Sequence, residues 1–189
     1  MRKVVLQMQT SVDGFVAGPN GELDWVFESI DEATSAWIVE RLWQAGVHIM
    51  GRRTFEDMAS HWPTSTEPYA APMNEIPKVV FTKHGFSTAS TRPGKGKSWD
   101  EATVATGDLA DEVVGLKRQS GKEILAHGGA GFAQALVSLG LVGEYRLIVH
   151  PVALGRGLPL FSSLSEPLGL ELVSSTAFEG GSVAQVYRA

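Results

Sequence analysis

The sequence predicts an α/β fold: a central mixed, mostly parallel sheet, helices on both faces, and an antiparallel hairpin at the carboxyl end. Three observations carry this. Short apolar strands alternate with amphipathic helical stretches from Val4 to Leu139, the signature of parallel strand–helix units. Glycines stand at strand-to-helix junctions, at Gly51 and at Gly128-Gly129. The last two strand-like stretches, Leu168 to Ser174 and Val183 to Arg188, have no helix between them, and Gly180-Gly181 supplies a turn. In such sheets a ligand lies beyond the carboxyl ends of the strands.

The 189 residues, 43% of them hydrophobic, suffice for one domain spanning 1–189, and no Pro/Gly/Ser-rich linker divides them. The absence of cysteine excludes disulfides, thiolate metal sites and a cysteine nucleophile. A net charge of −5 without a basic block argues against nucleic acid as the main partner. No apolar run is long enough for a membrane span or a signal peptide, so the expectation is a cytoplasmic protein. Histidines 48, 61, 84, 127 and 150 show no HxH or HxxxH spacing, and no metal site is expected.

In chain order, Val4 to Gln9 reads as a buried strand and Ser11 to Gly21 as a long, turn-rich loop. Asp31-Glu32 opens a helix whose apolar stripe is expected at Ala36, Val39, Leu42 and Trp43, with Gly46 closing it. Val47 to Met50 is the next strand, running into Gly51-Arg52-Arg53-Thr54 and a helix through Met58. His61 to Pro72, with three prolines, is expected to be irregular. Lys78 to Thr82 is a strand with Lys83-His84 at its carboxyl end, and the basic stretch from Arg92 to Ser98 is expected to be mobile. A strand at Thr103 to Thr106 and a helix at Leu109 to Gln119 lead to the strand Glu123 to Ala126. The following helix should bury Phe132, Ala135, Leu136 and Leu139, and Gly140 should end it. Tyr145 to His150 is the last strand before the hairpin.

The stretch Gly128 to Phe132 offers glycine backbone beside a fresh helix start, where free N–H groups and the helix dipole favour a phosphate or pyrophosphate. The competing reading is a tight turn and nothing more. Arg52 and Arg53 beside another helix start suit anion reception. No GxGxxG, no GxxxxGK[ST] and no Gly-x-Ser-x-Gly occurs, which removes the standard dinucleotide fingerprint, the P-loop and the nucleophile elbow.

Several stretches in register resemble the dihydrofolate reductase-like family: Ser11 to Ala17, Leu23-Asp24-Trp25, Met50 to Phe55, Pro77 to Thr82, Gly128-Gly129, Glu144 to Leu147, and Pro151 to Phe161. Within it, the chain is most similar to proteins with the reductase domain of the bifunctional riboflavin-biosynthesis deaminase/reductase. The resemblance implies a three-layer α/β/α fold, bound NADPH, and hydride transfer to a small heterocyclic acceptor, pterin- or pyrimidinone-like. It implies that Gly51, Arg52, Arg53 and Thr54 hold the adenosine and phosphate end. Gly128, Gly129, Ala130, Gly131 and Phe132 would then lie against the pyrophosphate, Val16 and Ala17 over the nicotinamide, and Thr82 and Lys83 beside the adenine. Asp24 is the expected acid near the substrate, with Trp25 touching it, while His127 and His150 are expected to be satisfied sheet residues. A homodimer is expected from the apolar strand Tyr145 to Val149 and the terminal hairpin, whose faces exceed what one helix can cover, and the resemblance supports it. In the riboflavin-pathway pattern a lysine and a glutamate stand where this chain has Phe15 and His127, so poor use of a phosphorylated pyrimidine is expected. The alternative to a reductase is a non-catalytic NADPH- or nucleotide-binding or regulatory protein that keeps the fold.

Overall fold

The computed structural model describes residues 1–88 and 97–189. Most of the basic stretch expected to be mobile, at 92–96, lies outside the described residues.

Strands β1 (Val4–Ser11), β2 (Phe15–Ala17), β3 (Ala45–Gly51), β4 (Lys78–Phe81), β5 (Thr103–Ala105), β6 (Glu123–Ala126), β7 (Glu144–His150), β8 (Leu158–Pro159), β9 (Glu171–Ala177) and β10 (Val183–Arg188) alternate with helices. These are α1 (Glu32–Leu42), α2 (Arg52–His61), α3 (Ala70–Glu75), α4 (Lys97–Asp100), α5 (Leu109–Arg118) and α6 (Ala130–Ser138). Eight strands form one sheet in the order β5-β4-β3-β6-β1-β7-β10-β9. The first six run parallel, and β10 and β9 close it as an antiparallel hairpin. That is the expected architecture. β2 and β8 make a separate two-stranded ribbon.

Two cores sandwich the sheet. On one face Val5, Met50, Val80 and Leu125 meet Ile38 and Leu42 of α1, Phe55 of α2, and Met73 of α3. On the other, Leu6, Ile49, Phe81 and Ala126 meet Val113 of α5 and Leu136 and Val137 of α6. Strands covered on both faces carry near-continuous apolar runs, as these do.

The local expectations need several corrections. Gly46 lies inside β3 instead of closing α1, which ends at Leu42. The buried positions of α1 are Thr34, Ile38 and Leu42, while Ala36 and Trp43 are exposed. Thr34 is admitted to the core because its hydroxyl and backbone N–H both bond the Asp31 carboxylate, at 2.7 Å each, and Ser182 lies 3.1 Å away. In α6 the buried residues are Ala133, Leu136 and Val137, and Leu139 is exposed. Gly140 does end that helix, with φ 62°. The segment expected to be irregular holds a 3-10 turn at Trp62–Thr64 and the first half of α3, and the first loop contains β2.

β9 is exposed along its whole length, with Leu172 and Val173 about half open at 54% and 48%. No helix among the described residues is long and apolar enough to cross a membrane.

Candidate functional site

β3 and β6 are neighbours in the sheet, yet the chain leaves them toward opposite faces. β3 passes into α2 over one core and β6 into α6 over the other. A crevice must open where the two paths diverge, at the carboxyl ends of the parallel strands. Both helices begin there from glycine N-caps, Gly51 and Gly129, with no side-chain cap. Their first-turn N–H groups are therefore free to bind an anion.

The two starts touch. A Cβ on Gly129 would lie 3.3 Å from Thr54 Oγ1, and one on Gly51 would lie 3.4 Å from Phe132 Cβ. A Cβ on Gly128 would lie 3.3 Å from the terminal methyl of Met8 in β1. The peptide between Gly128 and Gly129 is cis. Phe132 in turn contacts Phe81 at the end of β4, with ring centroids 5.2 Å apart. So the structure brings Gly51, Thr54, Gly128, Gly129 and Phe132 together, with Ala130 and Gly131 in the same helix turn.

Positive charge surrounds this junction. Arg52 and Arg53 are exposed on the first turn of α2, and Lys83 is exposed just past β4, after Thr82. The Arg52 guanidinium pairs with Glu56 at 2.8 Å and lies 4.8 Å from the centre of the Phe86 ring. That places it beside the loop that carries Lys83.

Val16 and Ala17 are buried in β2, which β8 pins in place. A Cβ on Gly157 would collide with the Ala17 carbonyl oxygen, so the ribbon demands glycine there. Asp13 ties this loop down. Its carboxylate accepts from the Ser11 hydroxyl at 2.6 Å and from the N–H groups of Leu154 and Gly155 at 3.1 and 2.7 Å. The Ser11 bond, above all, holds its acidity above that of an ordinary aspartate.

Asp24 opens a short 3-10 helix, Asp24–Ser29, and is exposed. Trp25 packs edge-on against His150, with centroids 5.5 Å apart. His150 is satisfied as expected, with Ser29 Oγ 2.7 Å from Nδ1 and Gln9 Oε1 2.7 Å from Nε2. Since the amide oxygen only accepts, Nε2 carries the proton and the Ser29 hydroxyl donates to Nδ1.

His127 departs from expectation. Its Nε2, both ring nitrogens of His48, and Gln7 Oε1 are buried without a hydrogen-bond partner. The two rings meet edge to face at 4.6 Å. Burial, with the charge of Lys78, lowers His127 to about 4, and burial lowers His150 to about 4. His48 is held well below its ordinary value by burial, then by His127 and Lys78. Lys78 is itself buried, and desolvation brings it down to about 7. The sequence reading missed Gln7, Gln9, His48 and Lys78. The available signal was their polarity inside otherwise apolar strands.

A cavity of about 750 Å³ lies elsewhere, at the amino ends of β3, β4 and β5, lined by Asp108, Asp111 and Glu112. Arg2 and Lys78 line it beside those acids, and it includes none of the glycine junction.

The profile of the RibD C-terminal domain matches residues 2–184. The chain belongs to the RibD C-terminal domain family. It is 31% identical to the uncharacterized protein YyaP of Bacillus subtilis (strain 168), over 98% of this chain and 94% of that one. A pyrimidine reductase-like protein from Corynebacterium diphtheriae matches with TM-score 0.65 and 16% identity, over 99% of this chain and 91% of the other. Dihydrofolate reductase from Enterococcus faecalis, complexed with NADP(H), matches with TM-score 0.62 and 13% identity, over 98% and 95% of the two chains. These two likenesses establish the dihydrofolate reductase-like fold of this RibD C-terminal family member.

Proposed function

We propose that this chain is an NADPH-dependent reductase that passes a hydride to a small pterin- or pyrimidinone-like heterocycle. The observation that carries the reading is the meeting of two uncapped helix starts at Gly129 and Thr54, flanked by Arg52, Arg53 and Lys83. One helix start offers donors for a single anion. Two, with cations beside them, suit a dinucleotide that carries a pyrophosphate and a further phosphate. The crowding at Gly128 and Gly129 supports the same fit, because a side chain there would fill the cradle. NADPH, when bound, supplies the hydride.

In this reading Gly128 to Phe132 bind the pyrophosphate and Gly51 to Thr54 the adenosine phosphate end. Thr82 and Lys83 border the adenine, and Val16 and Ala17 cover the nicotinamide. Trp25 and the exposed Asp24 orient the acceptor on the far side. With Phe15 and His127 in place of charged residues, that side suits an uncharged acceptor better than a phosphorylated one.

Arg52 is already shared with Glu56, whereas Arg53 has no ion pair among the described residues. NADPH should bind ten- to a hundredfold more tightly than NADH, as a charge-assisted contact of roughly 1.5–3 kcal/mol implies. Arg52→Ala with Arg53→Ala should remove that preference and leave NADH nearly unchanged. Calorimetric titration of both cofactors, followed by NADPH oxidation against pterins, pyrimidinones and quinones, tests the reading. Equal affinities in the unaltered protein would end it. Tight NADPH binding with no acceptor reduced would favour a non-catalytic nucleotide-binding role.

The partner in this reading is a second copy of the chain. β9 leaves Leu172 and Val173 half exposed on an edge strand, and such edges are ordinarily covered or blunted. Light scattering at micromolar concentration should give twice the 20.3 kDa chain mass. A monomer mass would reject the dimer.

A further inference from the structure

A line of hydrogen bonds runs from a buried serine to the open end of β1. Ser29 Oγ lies 2.7 Å from His150 Nδ1, and His150 Nε2 lies 2.7 Å from Gln9 Oε1. Ser29 and His150 are 5% and 0% exposed, whereas Gln9 is partly exposed. Gln9 belongs to the carboxyl half of β1. That strand pairs with β6 only as far as Leu6 with Ala126, but it stays paired with β7 through Ser11 with His150. Gln9 thus stands past the end of β6, next to Met8, whose terminal methyl faces Gly128. By strand alternation it shares the face of Val5, which α1 and α2 cover. Trp25 packs edge-on against the same histidine, at 5.5 Å between centroids.

The buried end of this line decides which atom the open end presents. A buried hydroxyl needs an acceptor for its proton. Among the described residues the one that meets Ser29 Oγ is His150 Nδ1. Nδ1 is therefore bare, and the single proton of the ring sits on Nε2. That N–H needs an oxygen, so Gln9 turns its carbonyl inward and its NH2 outward. The opposite tautomer would turn the amide round and strand the serine proton inside the protein. Burial holds His150 at about 4, so the ring stays neutral near pH 7 and carries one proton only.

The outward NH2 of Gln9 has no partner among the described residues and is not sealed from solvent. The indole N–H of Trp25 offers no substitute, because it donates to the Glu22 carbonyl at 3.1 Å.

We infer that Gln9 selects the heterocycle, donating its side-chain N–H to a ring carbonyl oxygen. The inference rests on the reductase reading and narrows its substrate. The edge that faces β1 carries a carbonyl, as a pterin or a pyrimidinone does, and not an amino group. Gln9 touches the heterocycle, while His150 and Ser29 are positioning residues that act through it. A glutamine free to rotate would serve a carbonyl and an amino group alike. Held from behind, it serves one. An amino group in that place would set N–H against N–H and leave both donors unpaired, a mismatch worth about ten- to a hundredfold in affinity.

The test has two arms. In the first, calorimetry on NADP⁺-saturated protein compares pterin with 2,4-diaminopteridine, and 4-pyrimidinone with 4-aminopyrimidine. Each pair exchanges a ring carbonyl for an amino group, and no hydride is available to consume the ligand. The carbonyl member should bind about ten- to a hundredfold more tightly. Gln9→Glu keeps an oxygen for His150 and places a second one outward, so it should reverse the order. Ser29→Ala should flatten it. NADPH titration, which draws on other residues in this reading, shows that each variant is folded. In the second arm, ¹⁵N-histidine-labelled protein at pH 7 should show His150 with its proton on Nε2, and Ser29→Ala should mix the two tautomers. A serine that only fills space would leave both the tautomer and the ligand order unchanged. A proton on Nδ1, equal affinities within each pair, no binding of either pair, or an unreversed order in Gln9→Glu would each overturn the inference while NADPH binding stays intact. A protein that binds no NADPH would fail the reductase reading itself, and the histidine spectra would still decide which end of Gln9 faces outward.

Discussion

Between pH 6.5 and pH 4 the folded protein is expected to lose on the order of 6 kcal/mol of stability. The loss comes from His127 and His150, each lowered to about 4 by burial, and His48 adds to it in the same direction. The sign follows from proton counting. In this window the unfolded chain binds protons on these imidazoles and the folded chain refuses them, so acid favours the unfolded state. The stability is complete above the unfolded value of 6.5, falls as the pH drops toward 4, and is flat below that for these groups. Each ring accounts for about 3 kcal/mol, and the two largely add because they share no partner: His150 bonds Ser29 and Gln9, whereas His127 packs on His48. Lys78 continues the slope upward, since its folded value of about 7 lies below the unfolded 10.5 and stability should still rise between them. Urea unfolding at pH 6.5, 5.5 and 4.5 measures the effect, and His150→Gln with His127→Gln should flatten it. A stability constant within about 1 kcal/mol across the range would show that the buried rings accept protons cheaply.

These histidines also mark where the sequence stopped being legible. The glycine junctions could be read because they report on backbone: Gly51 and Gly128-Gly129 stand at strand ends whatever surrounds them, and their convergence follows from the strand order. Strand phase could not be read in the same way. β1, β3, β4 and β6 are covered on both faces, so their sequences do not alternate, and nothing in Val47-His48-Ile49-Met50 says that His48 shares a face with Lys78 and His127. Only the register shows it. The same limit explains the misphased helices. Thr34 is buried because Asp31 and Ser182 bond its hydroxyl, a long-range fact that an apolar count along α1 assigns to Ala36 instead. α3 was hidden by its length of six residues and by Pro72 in its first turn. β2 and β8, of three and two residues, exist because each is the other's partner. Asp13 illustrates the reverse case: it stands in the turn-rich loop from Ser11 to Gly21, and its carboxylate clasps Leu154 and Gly155, some 140 residues away.

Replacing Arg146 with methionine is expected to cost about 3–5 kcal/mol of folding stability. Arg146 lies in β7 with its side chain 3% exposed, and its guanidinium spans two carboxylates. One nitrogen pair meets Glu123 of β6 at 2.6 and 3.0 Å, a two-pronged grip, while Nε bonds Glu144 at 2.8 Å. The planar fork matches carboxylate geometry and satisfies groups that have little access to water, Glu123 at 9% and Glu144 at 14% exposure. Lys3 reaches both acids from the surface, but it is half exposed and screened, so it replaces only part of the lost charge. Methionine fills similar volume, and the cost is therefore charge left uncompensated and not a cavity. That distinction is testable in one step. Glu123→Gln on the Arg146→Met background removes the stranded charge and should restore at least half of the loss, because a buried ion pair is weakly stabilising as a unit while either half alone is strongly destabilising. Urea unfolding at pH 7 of the single and double variants measures both numbers. A single-variant loss below about 1 kcal/mol would mean that water reaches the cluster, and a double variant no better than the single would mean that the arginine's worth lies in packing.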